Sequence, residues 1–373
     1  HVADASSTAI VDPDRILPVY GDLGTSPHVP SGQLLGSSLM ELEQNQLTIR
    51  IPRALEYARL NGINRIVQRT ADDRIGIVAA GKTYLDVRES LRRLGLDDDE
   101  LARRGIRILK LGMVYPLERT ILDEFMAGLD EVIVVEEKRD FIETMIREIH
   151  FRRPDVANVV GKSHEDGSTL FSRFGELDVD SVTRGLAQRL GKVHGISSAQ
   201  AWLDGPARPR TRISLPLAAT RTPYFCSGCP HNSSTKVADG TLVGAGIGCH
   251  AMVLMMDEKQ VGTVTGVTQM GGEGIQWTGM SPFLDERHLV QNIGDGTFMH
   301  SGSLALRAAV ASGDNITYKL LYNSAVAMTG AQDPEAALSV PALTHKFAAE
   351  GVAKIIVCAE EPDRHRGASF ADG

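Results

Sequence analysis

Between residues 74 and 150 the chain passes three times from a short apolar run into a segment whose apolar residues recur at helical spacing. RIGIVAAG (74–81) gives way to YLDVRESLRRLG, IRILKLGMVYP (106–116) to ERTILDEFMAGL, and DEVIVVEEK (130–138) to FIETMIREIHF. Apolar runs this short, bounded by Gly, Pro and charge, read as strands buried on both faces. Strands that alternate with helices make βαβ units and a parallel sheet between two helical layers. The pattern therefore predicts an α/β domain over residues 71–195.

The flanks are organised differently. LEYARLNGINRIVQR (55–69) has helical spacing and reads as a helix linking domains. The stretch before it is rich in Pro, Gly and Ser, as interdomain crossings are. Residues 1–70 are thus expected to form an extended segment and a linker helix. Residues 196–222 carry three prolines and a basic PRTR with little periodicity, and read as a linker. A second α/β domain is expected over 223–373, where most glycines and all four cysteines lie. The chain opens on His1 and stops at RGASFADG, so we expect a piece of a longer polypeptide, its second domain truncated at the C-terminus.

Charge and cysteine usage narrow the function. A formal net charge of −8 offers no basic face to nucleic acid or to an anionic membrane. No apolar run approaches the ~20 residues that span a bilayer. Four cysteines in 373 residues are no disulfide framework, so a reducing cytoplasm is the expected setting.

The most informative stretch is HLVQNIGDGTFMHSGSLALRAAVASGDNITYKLLYNSAVAMTG (288–330). HLVQNI reads as a strand, SLALRAAVA as a helix and ITYKLLY as a second strand, parallel to the first and ending at the same sheet edge. Asp295 follows the first strand and Asn323 ends the second, so both reach the crevice where open α/β sheets bind ligands. Their hard oxygens suit Mg²⁺, which takes its other ligands from phosphate and water. Gly294 and Gly296 let the backbone approach a diphosphate, and Thr297 opens a helix whose N–H groups face an anion.

Three cysteines are clustered in sequence: Cys226 and Cys229 in YFCSGCPHNSS, and Cys249 in GAGIGCH. Their spacing admits a redox pair that leaves Cys249 idle, or a zinc site completed by His231 or His250. It also admits an iron–sulfur cluster that needs a fourth thiolate. Spacing alone places zinc slightly ahead. Cys358, in KIIVCAEEP, reads as a small hydrophobe in a buried strand. Glu273, in QMGGEG, is either a catalytic acid or a solvated capping residue. His300, after GDGTF, either meets substrate or bonds locally to backbone. In VVEEK, Glu136 and Glu137 read as surface or interface partners of Lys138, and the methionines of AMVLMM as core.

GDG followed by Asn after an intervening helix resembles the thiamine-diphosphate signature. YNSAVAMTGAQ, with GDGTFMHSG, CSGCPH and QMGGEG, resembles the 2-oxoacid:ferredoxin oxidoreductases, and the indolepyruvate branch of fused chains in particular. Ser324 stands where that family usually has Asn or Asp, and Ala331 where it usually has Gly.

The resemblance implies a transketolase C-terminal-like first domain and a thiamine-diphosphate-binding second one. It implies Mg²⁺ held by Asp295, Asn323 and the carbonyl of Ala325. It puts a four-iron cluster on Cys226, Cys229 and Cys249, with the fourth ligand beyond Gly373. The implied reaction decarboxylates an aryl 2-oxo acid such as indolepyruvate, passes electrons to ferredoxin and leaves the acyl group on coenzyme A. The family works as a dimer of a longer chain, and its aminopyrimidine carboxylate comes from a domain not found here. A non-oxidative thiamine decarboxylase or carboligase, its cysteines on zinc or empty, is the alternative. A non-catalytic zinc-stabilised module is a third reading.

Overall fold

In a computed structural model of the chain, the described residues are 10–21, 32, 35–151, 157–205 and 224–371. They divide into two compact units between residues 212 and 213. Much of the expected opening segment, most of the expected 196–222 linker and residues 372–373 lie outside the described residues.

The first unit is built on five strands: β1 (Arg65–Gln68), β2 (Ile75–Ala80), β3 (Ile106–Leu111), β4 (Glu131–Val135) and β5 (Asn158–Val160). Their spatial order is β1-β3-β2-β4-β5, with β2 to β5 parallel and β1 antiparallel to β3. Side chains alternate across the sheet as the pleat requires. Ile77, Ala79, Ile108 and Ile133 pack with Val87 and Leu91 of helix Gly81–Arg93, and with Val182 and Leu186 of helix Val179–Ala187. Val78, Leu109, Val132 and Val134 pack with Leu122 and Phe125 of helix Arg119–Met126, and with Ile142 and Ile146 of helix Phe141–His150. This is the three-layer α/β architecture the apolar runs imply.

Two boundaries differ from expectation. The helix expected over 55–69 ends at Leu60, and 65–68 form edge strand β1. Asn61 and Gly62 break the helix: the Asn61 side chain donates to the Tyr57 carbonyl, and Gly62 takes a left-handed φ of 55°. The linker does not start at 196 either. Residues Ser197–Asp204 are helical, and Ala199 and Ile196 are buried in the first unit's core. Glu136 is also unlike its expected role. It is buried and accepts N–H bonds from Phe141, Ile142 and Glu143 at the start of the next helix, while Lys138 reaches the Gly175 carbonyl instead.

The second unit is a four-stranded, wholly parallel sheet of order β7-β6-β8-β9. The strands are β6 (Leu242–Ala245), β7 (Thr263–Val267), β8 (Leu289–Gly294) and β9 (Ile316–Leu321). Phe225, Ala245, Val253 and Val261 form one apolar cluster, and Ile293, Phe298, Leu306 and Leu343 another. The outer strands β7 and β9 are only half-buried. Of the AMVLMM residues only Val253 is fully buried, and Met255 is exposed. Cys358 does not lie in a buried strand: residues 353–359 form no strand, and Ile356, Val357 and Cys358 are exposed because no layer covers them among the described residues. No helix among the described residues is long and apolar enough to cross a membrane.

The first unit contains a buried ion cluster. Arg189 donates to both carboxylate oxygens of Glu131 and of Glu165, and His194 Nε2 lies 3.1 Å from Glu131 Oε1. Burial pushes the Glu131 carboxyl up, but the bonds to Arg189 and His194 outweigh it and hold the pKa below the ordinary value. Arg189→Ala, which strands the buried carboxylate, should destabilise the unit by about 3–5 kcal/mol in urea unfolding. Glu131's own contribution, carried by a lowered folded pKa, should be complete above about pH 5 and lost as acid protonates it.

Candidate thiamine-diphosphate site

Because β6 to β9 all run in one direction, the loops after them emerge at one sheet edge. Residues Leu289 to Gly294 pair in register with Ile316 to Leu321, so Asp295 and Asn323 leave adjacent strands within two residues of a paired position. Asp295 is buried. Its Oδ1 accepts the Gly296 N–H at 2.9 Å, and its Oδ2 accepts the N–H groups of Asn323 and Ser324 at 3.1 and 2.7 Å. Asn323 Oδ1 accepts the Ala325 N–H at 3.0 Å. The five residues thus join the two loops, and Asp295 Oδ1 and Asn323 Oδ1, each accepting one N–H, keep a lone pair free for a cation.

Close approach, more than turn geometry, explains Gly296. A methyl group on Gly296 would stand 3.1 Å from Val326 Cγ2, whereas one on Gly294 would meet His250 Nδ1 only at an ordinary contact distance of 3.4 Å. Thr297 Oγ1 donates to the Ile247 carbonyl, which ties the turn after β8 to the loop after β6. Helical backbone runs from Asp295 to Ser312, with a π segment at Phe298–Gly302. His300 lies in that segment, exposed, its Nδ1 2.9 Å from Ser301 Oγ. The loop Val326–Gln332 is closed on itself: Val326 N–H donates to Gln332 O, and Ala331 N–H to Val326 O.

The two departures from the resembling sequences fall at strained points of this loop. Ser324 has φ 57° and Ala331 φ 62°, in the left-handed region where Gly and Asn sit at least cost.

Behind the turn lies a set of buried polar groups without partners. His250 is buried with neither ring nitrogen bonded, Asn292 with neither amide atom bonded, and Glu273 with Oε1 free. Glu273 Oε2 accepts the Gly271 N–H at 2.8 Å, and its backbone carbonyl accepts Tyr318 OH at 2.9 Å. Burial pushes the Glu273 carboxyl up. It pushes His250 down to about 4, with His231 adding to the shift. His231 is also lowered by burial, against the opposing charge of Asp295. Orphaned buried polar atoms call for a partner outside the chain, and a glycine-lined turn with an Asp and an Asn fits a metal-bound diphosphate. Periodicity does not mark Asn292, and spacing alone offers His231 and His250 only as zinc ligands.

The cysteines are grouped but not caged. Cys229 and Cys249 pack against one apolar cluster, and Cys226 and Cys229 both help raise the Cys249 thiol after burial does. Cys226 is exposed, and Cys229 N–H donates to its carbonyl in a turn. Among the described residues no three His, Cys, Asp or Glu side chains stand together as a metal cage. A cluster therefore has no preformed seat in this arrangement.

An α/β chain with this turn in its second domain resembles the thiamine-diphosphate class. Residues 65–201 match the family model for an indolepyruvate oxidoreductase domain, and residues 246–355 that for the C-terminal TPP-binding domain of thiamine pyrophosphate enzymes. Indolepyruvate oxidoreductase subunit IorA of Thermococcus kodakarensis is 28% identical over 71% of this chain and 40% of its own length. The subunit of the same name from Methanothermobacter marburgensis is 27% identical over 78% of this chain and 44% of its own length. The chain thus matches an indolepyruvate oxidoreductase domain model and a TPP-binding domain model in tandem, and spans under half the length of these relatives. Two solved structures share local likeness. One is a split gene transketolase at 18% identity and TM-score 0.25, over 33% of this chain and 41% of that one. The other is a 2-oxoglutarate:ferredoxin oxidoreductase from Magnetococcus marinus at 16% and 0.26, over 34% and 20%.

Relief of the left-handed strain is measurable. Ala331→Gly should stabilise the second domain by about 0.5–1 kcal/mol, the gain in the loop exceeding the added unfolded-state entropy. A lower melting temperature for that variant would show that the loop is not held as described.

Proposed function

We propose that the chain contributes the diphosphate half of a thiamine-diphosphate site to an oxidoreductase. That enzyme decarboxylates an aryl 2-oxo acid of the indolepyruvate type, forms the acyl-CoA and delivers electrons to ferredoxin. The observation that carries the reading is the turn at 294–297 joined to Asn323 through Asp295, beside buried polar groups that lack partners. Asp295, Asn323 and the Ala325 carbonyl would hold Mg²⁺, and Gly294, Gly296 and Thr297 would line the diphosphate. Thiamine diphosphate supplies the electron sink for decarboxylation, and the chain's share is to bind and orient it and to keep the site dry.

Names of relatives support the substrate class, since every curated match cited above is an indolepyruvate oxidoreductase subunit. Cys226, Cys229 and Cys249 are proposed as iron–sulfur ligands on their spacing and mutual proximity; no step is assigned to a cluster, because they form no cage here. Glu273, buried with a raised pKa, suits a group that holds a proton near the site, and His300 is exposed enough to meet substrate. The acidic chain and its four thiols fit a reducing, cytoplasmic setting.

Calorimetry tests the core of this reading. Wild type should bind thiamine diphosphate only with Mg²⁺, and Asp295→Ala should abolish binding while leaving the circular dichroism spectrum unchanged. Equal affinity in that variant would sink the metal assignment. Anaerobic reconstitution with iron and sulfide tests the cysteines: broad visible absorption that disappears in Cys249→Ala supports a cluster, and a colourless product that instead retains zinc refutes it.

A further inference from the structure

After β6 the chain turns to one side to form β7 and then returns to the other side for β8, so the crevice of this sheet opens between the ends of β6 and β8. Gly246 directly follows β6, and Gly294 ends β8. The imidazole of His250 lies between them. A methyl group on Gly246 would stand 2.9 Å from His250 Nε2 and 2.8 Å from Glu273 Oε1, and one on Gly294 would stand 3.4 Å from His250 Nδ1. Nε2 thus faces Glu273 across Gly246, while Nδ1 lies between Gly248, whose added methyl would stand 3.2 Å from it, and Gly294 at the start of the Asp295 turn. His250 is only 1% exposed and Glu273 is fully buried, yet both ring nitrogens and Glu273 Oε1 lack partners.

Polar atoms buried without bonds destabilise the fold. Such a cost at the switch point of a parallel sheet signals a group that a ligand completes. We propose that His250 is a diphosphate-binding residue whose Nδ1–H donates to a phosphate oxygen held at the 294–297 turn, and that Glu273 is the positioning residue that fixes the ring from its Nε2 side. The assignment rests on the thiamine-diphosphate reading and adds to it a specific donor. The two side chains flank the position of Gly246 without a bond between them, so Glu273 bounds the ring on its Nε2 side and leaves Nδ1 as the nitrogen open to the phosphate.

Isosteric variants separate the two nitrogens. The amide NH₂ of Asn falls where Nδ1 lies, and that of Gln where Nε2 lies. Binding of inorganic pyrophosphate, thiamine diphosphate and ADP, each with Mg²⁺, would be measured by calorimetry on the chain, with ¹⁵N NMR of the histidine rings. Wild type should bind pyrophosphate and thiamine diphosphate, and the His250 Nδ1 resonance should shift on addition of either. H250N should stay within about threefold of wild type, while H250Q and H250F should weaken both ligands about tenfold or more, the loss of one bond to a charged group. E273Q should weaken binding less than H250F and alter the ¹⁵N pattern of the free protein. Should a variant fail to fold, the Nδ1 shift in wild type decides alone. Binding by H250F within twofold of wild type, or an unmoved Nδ1 resonance, would overturn the assignment. ADP bound as tightly as thiamine diphosphate, with the same dependence on His250, would support the phosphate donor and overturn the thiamine reading. No binding by wild type would overturn both.

Discussion

The second domain depends on the parallel pairing of β8 with β9. That pairing sets Gly294 opposite Leu321 and so delivers Asp295 and the Asn323 turn to one place. An antiparallel β9 would send its loop to the far edge of the sheet, and no substitution could recover the site. The Asp295 carboxylate then fixes the geometry by accepting N–H bonds from three residues on two loops. β6 runs the same way on the other side of β8 and brings the loop of Cys249 and His250 to the same edge, with Thr297 bonded across to Ile247. Asp295, Asn323, the glycine approaches, the thiols and the buried histidines are therefore neighbours because four strands share one direction, although they span about a hundred residues of sequence.

That arrangement was legible in the sequence to the extent that it rests on periodicity and order. The apolar runs gave the strands β2, β3, β4, β8 and β9 to within a residue or a few, and the helix between Asp295 and Asn323 implied that both ends meet. What stayed hidden had no periodic trace. β1 continues the helical spacing of the residues before it, and only Asn61 and Gly62 mark the break. Helix Ser197–Asp204 is short and lies beside prolines, so its burial is set by the first core and not by its own pattern. KIIVC has the composition of an inner strand without a covering layer. Glu136 looks like surface charge in sequence and is a buried helix cap, because its neighbours in space are the N–H groups of residues that follow a sharp turn. The unbonded state of His250 and Asn292 is legible only in three dimensions.

The two domains also differ in how their sheets are covered and their buried charges matched. The first sheet is buried on both faces, and its internal charges are matched, Arg189 with two carboxylates and Arg107 with Asp73. The second sheet has half-buried outer strands, left-handed Ser324 and Ala331, and unpartnered atoms on His250, Asn292 and Glu273. Ser324, Ala331, His250 and Glu273 lie in the loops at the edge where the four strands end, and Asn292 two residues before the end of β8. Local conflicts of this kind persist where function requires them and the rest of the fold outweighs them. A ligand that binds there does two things at once: it supplies the missing hydrogen bonds, and it stabilises the folded domain by mass action, about 2.7 kcal/mol at a hundredfold excess over Kd. The site and the stability of the domain around it are thus one thermodynamic system. Residues that look inefficient as structural elements are those through which a ligand bound at this edge would be coupled to the fold.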